Sequence, residues 1–222
     1  MIFSISAAPI CTMADVVAAL QDAAIGHSEA LYIDHDRMLR DYGCLWMLVR
    51  CSVRLARLPI GHPRVETFLR RPTATLSIRD YTIFDGGKTV GTAVQSWVLV
   101  DAEKRKIVNL RHIDCLWTLP TPTPERTALP LRPSLPATLT ERVRWQIAPD
   151  EIDSNGHLNN VRYIRHAEAL APSGCTALDV QFDRECFAGE TLHLQAAPDL
   201  FVQGVKDSGE VSFRLWLRRE DS

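Results

Sequence analysis

This sequence lacks several features that would narrow its class at once. Its six cysteines form no CxxC pair, which argues against zinc-ribbon and thioredoxin-like proteins. A disulfide framework is not expected in a chain this long. No stretch approaches the roughly 20 apolar residues of a membrane span, and the opening MIFSISAAPIC has no basic segment of a signal peptide. We therefore expect a cytoplasmic protein with reduced thiols and no membrane association.

A strong charge of either sign is also missing. The net charge is −2 over 222 residues, so a general nucleic-acid binder is not expected. The hydrophobic content of 46% is typical of a soluble globular protein, and the length suits two domains of about 100 residues each. Residues 37–71 are locally rich in arginine. This stretch is either a docking surface for an acidic partner or a solvated strand face.

Proline marks the candidate domain boundary. Residues 118–140 hold six prolines, namely Pro120, Pro122, Pro124, Pro130, Pro133 and Pro136. Such a density favours neither helix nor central strand and predicts an extended, semi-rigid linker. The chain is thereby divided into a first domain, 1–117, and a second domain, 141–222.

The two halves show the same order of patterns. In the first, helical spacing follows Thr12 as a candidate N-cap, and strand-like runs cover 45–55, 71–85, 89–101 and 105–110, with Gly86-Gly87 as a hairpin turn. In the second, a strand at 141–149 and a helix at about 159–170 precede strand-like runs at 176–186, 190–197, 200–206 and 210–219. One helix with several antiparallel strands in each half predicts two α+β domains of one kind.

Polar side chains crowd the stretch DEIDSNGHLNNVRYI, residues 150–164. Asp153, Asn155 and His157 alternate by two, so an extended backbone would direct all three to one side. Asn159 or Asn160 suits the N-cap of the helix that follows, and the N–H groups of that helix start could hold a carbonyl oxygen as it gains negative charge. A polar turn that merely caps a helix is the alternative.

A second polar group follows in QFDREC, residues 181–186. Strict alternation directs Glu185 and Cys186 to opposite faces unless a bulge intervenes. A carboxylate near a histidine and an asparagine can activate water while the amide and the imidazole orient a carbonyl. The alternative for Glu185 is a solvated strand residue, and the alternative for Cys186 is a small buried residue.

The pattern DxNxHLNNxxYI, followed after some twenty residues by REC, resembles the acyl-(acyl-carrier-protein) thioesterases of bacteria and plant plastids. The stretches LQDAAIGHSEAL, LWMLVRCSVRLARLP and SWVLVDAEKRKIVNL are similar to the first domain of that family. The absence of a plastid transit segment points to the bacterial type.

The resemblance implies two tandem hotdog domains, each an antiparallel sheet wrapped around a central helix. It implies hydrolysis of fatty acyl-acyl-carrier-protein thioesters with release of free fatty acid. Catalytic positions would be Asp153, Asn155, His157 and Glu185. Cys186 matches a cysteine once proposed there as the nucleophile, but only Arg184 nearby argues for a thiolate, so we expect Cys186, Asn159 and Asn160 to support the site.

The remaining expectations concern the substrate and the partners. Trp46, Met47 and Trp97 either line an acyl-binding pocket in the first domain or are plain core residues. No third ligand accompanies His157 and Asp153, so no metal is expected, and the reaction needs no cofactor besides water. The expected partner is an acyl carrier protein, and a homodimer is possible. An acyl-CoA thioesterase of the same fold and a non-catalytic acyl-binding module are the alternatives.

Overall fold

A computed structural model describes residues 1–122, 127, 129, 135–153, 155–171, 174–198 and 200–219. The first part of the chain forms β1 (Phe3–Ser6), α1 (Met13–Ala30), α2 (His35–Tyr42), β2 (Cys44–Leu55), β3 (Arg64–Leu69), β4 (Ser77–Asp85), β5 (Lys88–Asp101) and the short α3 (Asp114–Trp117). The second part forms β6 (Thr140–Gln146), α4 (Asn160–Glu168), β7 (Ala177–Phe182), β8 (Thr191–Ala196), β9 (Phe201–Lys206) and β10 (Val211–Arg218).

These strands join in one antiparallel sheet whose order is β1-β3-β4-β5-β2-β7-β10-β9-β8-β6. Read from the outer edge of the sheet to its middle, the first part has the order β1-β3-β4-β5-β2 and the second part has the order β6-β8-β9-β10-β7. The two orders are the same when each strand is matched with the strand five places later in the chain. They meet where β2 pairs with β7, from Arg50 opposite Gln181 to Arg54 opposite Ala177. The sheet is therefore continuous across both parts of the chain.

Helix α1 begins where the sequence predicts it. The Thr12 hydroxyl accepts a hydrogen bond from Asp15 N at 3.1 Å, and the Asp15 carboxylate accepts one from Thr12 N at 3.0 Å. This capping box satisfies N–H groups that have no partner within the helix. The apolar face of α1 is fully buried against the sheet, for example at Val16 and Leu20, so α1 covers the strands of the first part.

Helices α1 and α4 are linked end to end. The Glu168 carboxylate at the end of α4 accepts hydrogen bonds from Met13 N at 2.8 Å and Ala14 N at 3.1 Å. A carboxylate at a helix N-terminus satisfies backbone donors and interacts favourably with the helix dipole. The second part of the chain thus completes the cap of the first helix.

Several predicted boundaries were wrong. The strand predicted over 71–85 begins at Ser77, and β1, β3 and α2 were not predicted. The stretch 105–110 forms no strand, since only Ile107 makes an isolated bridge, to Val100. The hairpin at Gly86-Gly87 is confirmed, with φ of 56° and 80°, the positive values that this turn requires.

The predicted linker is described only in part. Residues 123–126, 128 and 130–134 lie outside the described residues, and with them Pro124, Pro130 and Pro133. The division of the chain at 118–140 therefore stays a prediction. Where the structure describes the chain, it contains no helix of the length and apolarity required to cross a bilayer.

Candidate active site

A cavity of about 770 Å³ lies beside the start of α4. Its wall combines residues of α1, β2, β4 and β5 with the segments 153–160 and 182–185. Both parts of the chain therefore contribute to one cleft. Concave sites with a few convergent polar groups are the usual place for small-molecule binding.

The segment that leads into α4 is a tight turn, which corrects the extended conformation considered for it. Asp153 Oδ1 accepts hydrogen bonds from Asn155 N at 2.8 Å and His157 N at 3.4 Å. Gly156 has φ of 80°, a left-handed conformation that glycine adopts without steric cost. Asp153, Asn155 and His157 nevertheless all line the cavity. The turn, rather than alternation along a strand, directs them to one side.

His157 and Glu185 meet because this turn is tied to the segment that follows β7. Leu158 N donates to Cys186 O at 2.9 Å, and His157 Nδ1 lies 3.6 Å from Glu185 Oε1. Their side chains are 20% and 19% exposed. Glu185 Oε1 is buried and accepts no hydrogen bond from the described residues. A carboxylate oxygen in this state is available to take a proton from water.

The chain leaves β7 through a bulge, which explains how two neighbouring residues both face inward. Asp183 N and Arg184 N both donate to Ser212 O, at 2.7 Å and 3.0 Å. Two residues that oppose one are typical of a bulge, and the alternation of side chains is lost there. Glu185 therefore reaches the cavity while Cys186 is fully buried.

Arg105 holds the other oxygen of Glu185. Its guanidinium donates from Nη2 to Glu185 Oε2, and it lines the same cavity. The turn after β5 directs it there. Asp101 O accepts from Arg105 N at 2.9 Å, the Asp101 carboxylate accepts from Lys104 N at 2.8 Å, and Arg105 has φ of 55°. This ion pair fixes the carboxylate so that Oε1 points to His157.

Cys186 lies behind the site and does not line the cavity. Its Sγ is 3.0 Å from Ser212 Oγ, and burial raises the pKa of the Cys186 thiol. A raised pKa disfavours the thiolate that a nucleophile needs. These contacts indicate that Cys186 is a buried residue that packs behind the site.

The two asparagines at the start of α4 differ in position. Asn159 is the N-cap, and its Oδ1 accepts from Val161 N at 2.9 Å. Arg162 N donates to Asn159 O, also at 2.9 Å. These two N–H groups are therefore engaged and do not hold a substrate carbonyl as considered above. Asn160 lines the cavity together with Asn155.

The three residues considered for substrate binding all lie on the cavity wall. Trp46 Nε1 donates to Ile33 O at 2.8 Å, and Trp97 Nε1 donates to Gln95 Oε1 at 3.2 Å. These bonds fix both indoles and leave their rings to the cavity, which Met47 also lines. Their part in binding an acyl chain stays a prediction.

The arginines of residues 37–71 are mostly engaged within the chain. Arg54 pairs with Asp179, Arg57 with Asp85 and Arg70 with Asp80. Arg71 lies over the ring of Trp117. The contacts favour a structural role for most of this set, and docking of an acidic partner stays a prediction.

Among the cavity residues that sequence reasoning missed are Arg105 and Arg79. Both are ordinary charged residues in the sequence, on a turn and within a strand. Arg105 was expected in a strand-like run, and nothing in DAEKRK indicates that Arg105 reaches Glu185, 80 positions later. Only the fold brings these groups together.

The candidate residues therefore bring two carboxylates, one imidazole and two amides to one cavity. Among the described residues, no group of three or more His, Cys, Asp or Glu side chains could hold a metal. The large antiparallel sheet and few helices fit a hotdog fold.

Comparison with known families identifies the first half of the chain. Residues 3–112 match the model of the acyl-ACP thioesterase N-terminal domain. This match confirms the resemblance to acyl-ACP thioesterases that was noted in the sequence. No curated protein sequence matches this chain.

Three solved structures share the fold over nearly the whole chain. An acyl-ACP thioesterase from Bacteroides thetaiotaomicron is 20% identical, with a TM-score of 0.74 over 98% of this chain and 96% of that one. An oleoyl thioesterase (putative) from Lactobacillus plantarum is 17% identical, with a TM-score of 0.77 over 100% and 98%. The 12:0-ACP thioesterase from Umbellularia californica is 15% identical, with a TM-score of 0.73 over 98% and 96%. At these identities the likeness concerns the fold.

Proposed function

We propose that this protein hydrolyses fatty acyl-ACP thioesters and releases free fatty acid. The observation that carries the proposal is the approach of His157 Nδ1 to Glu185 Oε1, 3.6 Å apart on the wall of the cavity. The acyl-ACP thioesterase domain match over residues 3–112 supplies the substrate class. The partner is then an acyl carrier protein that presents its thioester at this cleft.

In the proposed mechanism Glu185 is the general base. Its Oε1 takes a proton from water as the water oxygen attacks the thioester carbonyl carbon. The carbonyl oxygen becomes an oxyanion, which the side-chain amides of Asn155 and Asn160 stabilise. The carbon–sulfur bond then breaks, and the thiol leaves with a proton returned from Glu185. His157 orients the water, and Asp153 holds the turn that positions His157.

The proposal includes two tandem hotdog domains, 1–117 and 141–222, joined by the linker 118–140. The equal strand order in the two parts of the sheet and the pairing of β2 with β7 support this division. In this arrangement the first domain supplies the acyl-binding wall with Trp46, Met47 and Trp97, and the second supplies the catalytic residues.

The test is hydrolysis of acyl-ACP thioesters by the wild type and by Glu185→Gln and His157→Ala. We expect turnover by the wild type and a fall in kcat of about 100-fold or more in each variant, the size typical of one acid–base group. The matched control is Glu141→Gln, since Glu141 is an exposed carboxylate on β6 that pairs with Arg144 and does not line the cavity.

Two outcomes would contradict the proposal. A wild type that hydrolyses no acyl-ACP thioester ends the functional assignment. Folded Glu185→Gln and His157→Ala variants with full activity end the assignment of the site. Equal rates on the CoA thioesters and on the ACP thioesters would instead identify an enzyme that does not select the carrier protein.

A further inference from the structure

A buried arginine lies in the inner wall of the cavity, away from the proposed catalytic groups. Arg79 on β4 is 3% exposed and lines the cavity with Ser77 on the same strand. Its Nη1 lies 2.7 Å from His27 Nδ1, and its Nη2 donates to Ser28 Oγ at 3.0 Å. Both partners belong to α1. The guanidinium is thus held between the helix and the sheet.

The charge of Arg79 is not neutralised by these partners. Among the described residues, no carboxylate forms an ion pair with its guanidinium, whereas Arg70 nearby pairs with Asp80. Serine is neutral, and His27 is neutral as well, since burial lowers the pKa of the His27 imidazole to about 3. A buried cation without a counter-charge is costly unless water or a ligand solvates it.

Arg79 lies where the end of a bound acyl chain distant from the thioester would lie. Glu185 follows β7, and the sheet runs from β7 through β2 and β5 to β4. Three spacings between neighbouring strands correspond to roughly 14 Å across the sheet, and Glu185 lies five residues beyond Val180, the β7 residue in line with Arg79. A chain whose thioester lies at Glu185 and which crosses the sheet along this wall ends beside Arg79, Ser77 and Ser28.

An apolar chain end and an oxygen-bearing chain end differ in what they do to this guanidinium. A methyl end would expel water from the unpaired cation and offer no hydrogen bond in return. A hydroxyl or a carboxylate would replace the water as an acceptor. From this difference we propose that the cavity selects acyl chains that carry an oxygen function at the end distant from the thioester, held by Arg79.

This inference rests on the proposed thioesterase function. The test compares kcat/KM of the full-length protein on ACP thioesters of matched length: dodecanoyl, 12-hydroxydodecanoyl and 11-carboxyundecanoyl. We expect one or both oxygen-bearing chains to exceed dodecanoyl by about tenfold or more, as a hydrogen bond to a charged group implies. The two arms distinguish an alcohol from a carboxylate. Hexanoyl and 6-hydroxyhexanoyl, which end before Arg79, should differ little.

Substitution of Arg79 assigns the preference to this side chain. Arg79→Met removes the charge at similar length and should reverse the preference at twelve carbons while hexanoyl hydrolysis persists. Arg79→Lys keeps the charge and should retain the preference. If Arg79→Met does not fold, the inference is still tested by the kcat/KM ratios of the wild type and by the chain preference of Arg79→Lys.

Equal or faster wild-type hydrolysis of dodecanoyl-ACP overturns the inference and leaves the thioesterase function intact. A preference that persists unchanged in folded Arg79→Met also overturns it. Absence of hydrolysis of all five thioesters would instead contradict the proposed function itself.

Discussion

Arg105 and Glu185 form an ion pair that joins the two parts of the chain at the cavity, with Arg105 Nη2 donating to Glu185 Oε2. The arginine stands on the turn after β5, and the glutamate follows the bulge after β7. Neither residue belongs to a strand, so the turn and the bulge position the two side chains. The pair leaves Glu185 Oε1 facing His157 Nδ1, which is the geometry that the proposed mechanism requires.

Arg105→Met should lower kcat by about tenfold and change KM little, because Arg105 positions Glu185 while other residues line the rest of the cavity. Steady-state kinetics on an acyl-ACP thioester measure this. Arg105→Lys should restore part of the loss, since an ammonium can still pair with the carboxylate. Lys104→Met on the same turn is the control. Unchanged kcat in folded Arg105→Met would remove the positioning role.

Cys186→Ala should keep kcat within about threefold of the wild type, because the buried thiol lies behind the site and its pKa is raised. We expect a lower free energy of unfolding, by about 1 kcal/mol, from the lost packing. Activity and urea denaturation measure the two effects. A folded Cys186→Ala variant with a 100-fold loss of kcat would identify the thiol as the nucleophile after all.

Glu168→Ala should lower the free energy of unfolding by about 2 kcal/mol, since it removes two charge-assisted hydrogen bonds to Met13 N and Ala14 N at the start of α1. Glu168→Gln should cost less, because the amide oxygen can still accept one of them. Urea unfolding monitored by tryptophan fluorescence is the measurement. Glu103→Ala, on an exposed turn, is the control, and equal stability of Glu168→Ala and Glu103→Ala would contradict the cap.

The imidazole of His27 makes the fold sensitive to acid. Burial, followed by the nearby Arg79, lowers its pKa in the folded state to about 3, whereas an unfolded histidine titrates near pH 6.5. The unfolded chain therefore binds the proton first. The stability contributed by neutral His27 is complete above pH of about 6.5 and is lost as the pH falls from there toward 3, by at most about 1.4 kcal/mol per pH unit.

His27→Gln should flatten this dependence, because glutamine can accept the bond from Arg79 and does not titrate. The measurement is the free energy of unfolding in urea at pH 7, 6, 5 and 4.5. His112→Gln, at an exposed position, is the control and should leave the slope as it is in the wild type. A slope in His27→Gln as steep as in the wild type would show that other groups cause the acid sensitivity.

Much of the local structure could be predicted because it depends on neighbouring residues. The capping box at Thr12 and Asp15, the Gly86-Gly87 hairpin and the start of α4 at Asn159 follow from side chains within a few positions of one another. Strand β3 was missed because the arginine-rich stretch around it gives no clear alternation. The strand over 105–110 was wrong because residues 102–104 form a turn that presents Arg105, after which only Ile107 bridges back to Val100.

The candidate site, too, could be predicted from the sequence only in part. Asp153, Asn155 and His157 could be proposed from sequence since one short turn contains them. Their conformation could not be derived, because alternation assumes an extended chain and Gly156 permits a turn instead. Glu185 was proposed from a family resemblance, and the bulge that turns it inward depends on Ser212 of β10.

The sequence by itself determined many short-range features: helices α1 and α4 with their caps, most of the strands, and the polar turn that resembles a thioesterase motif. Hydrophobic period and turn chemistry act over a few residues, so they can be read without coordinates. The tertiary structure decided that β2 pairs with β7, that Arg105 holds Glu185, and that Arg79 stands uncompensated in the cavity wall. These contacts join residues 50 or more positions apart, and their energies depend on burial and on charges that only the folded chain brings together.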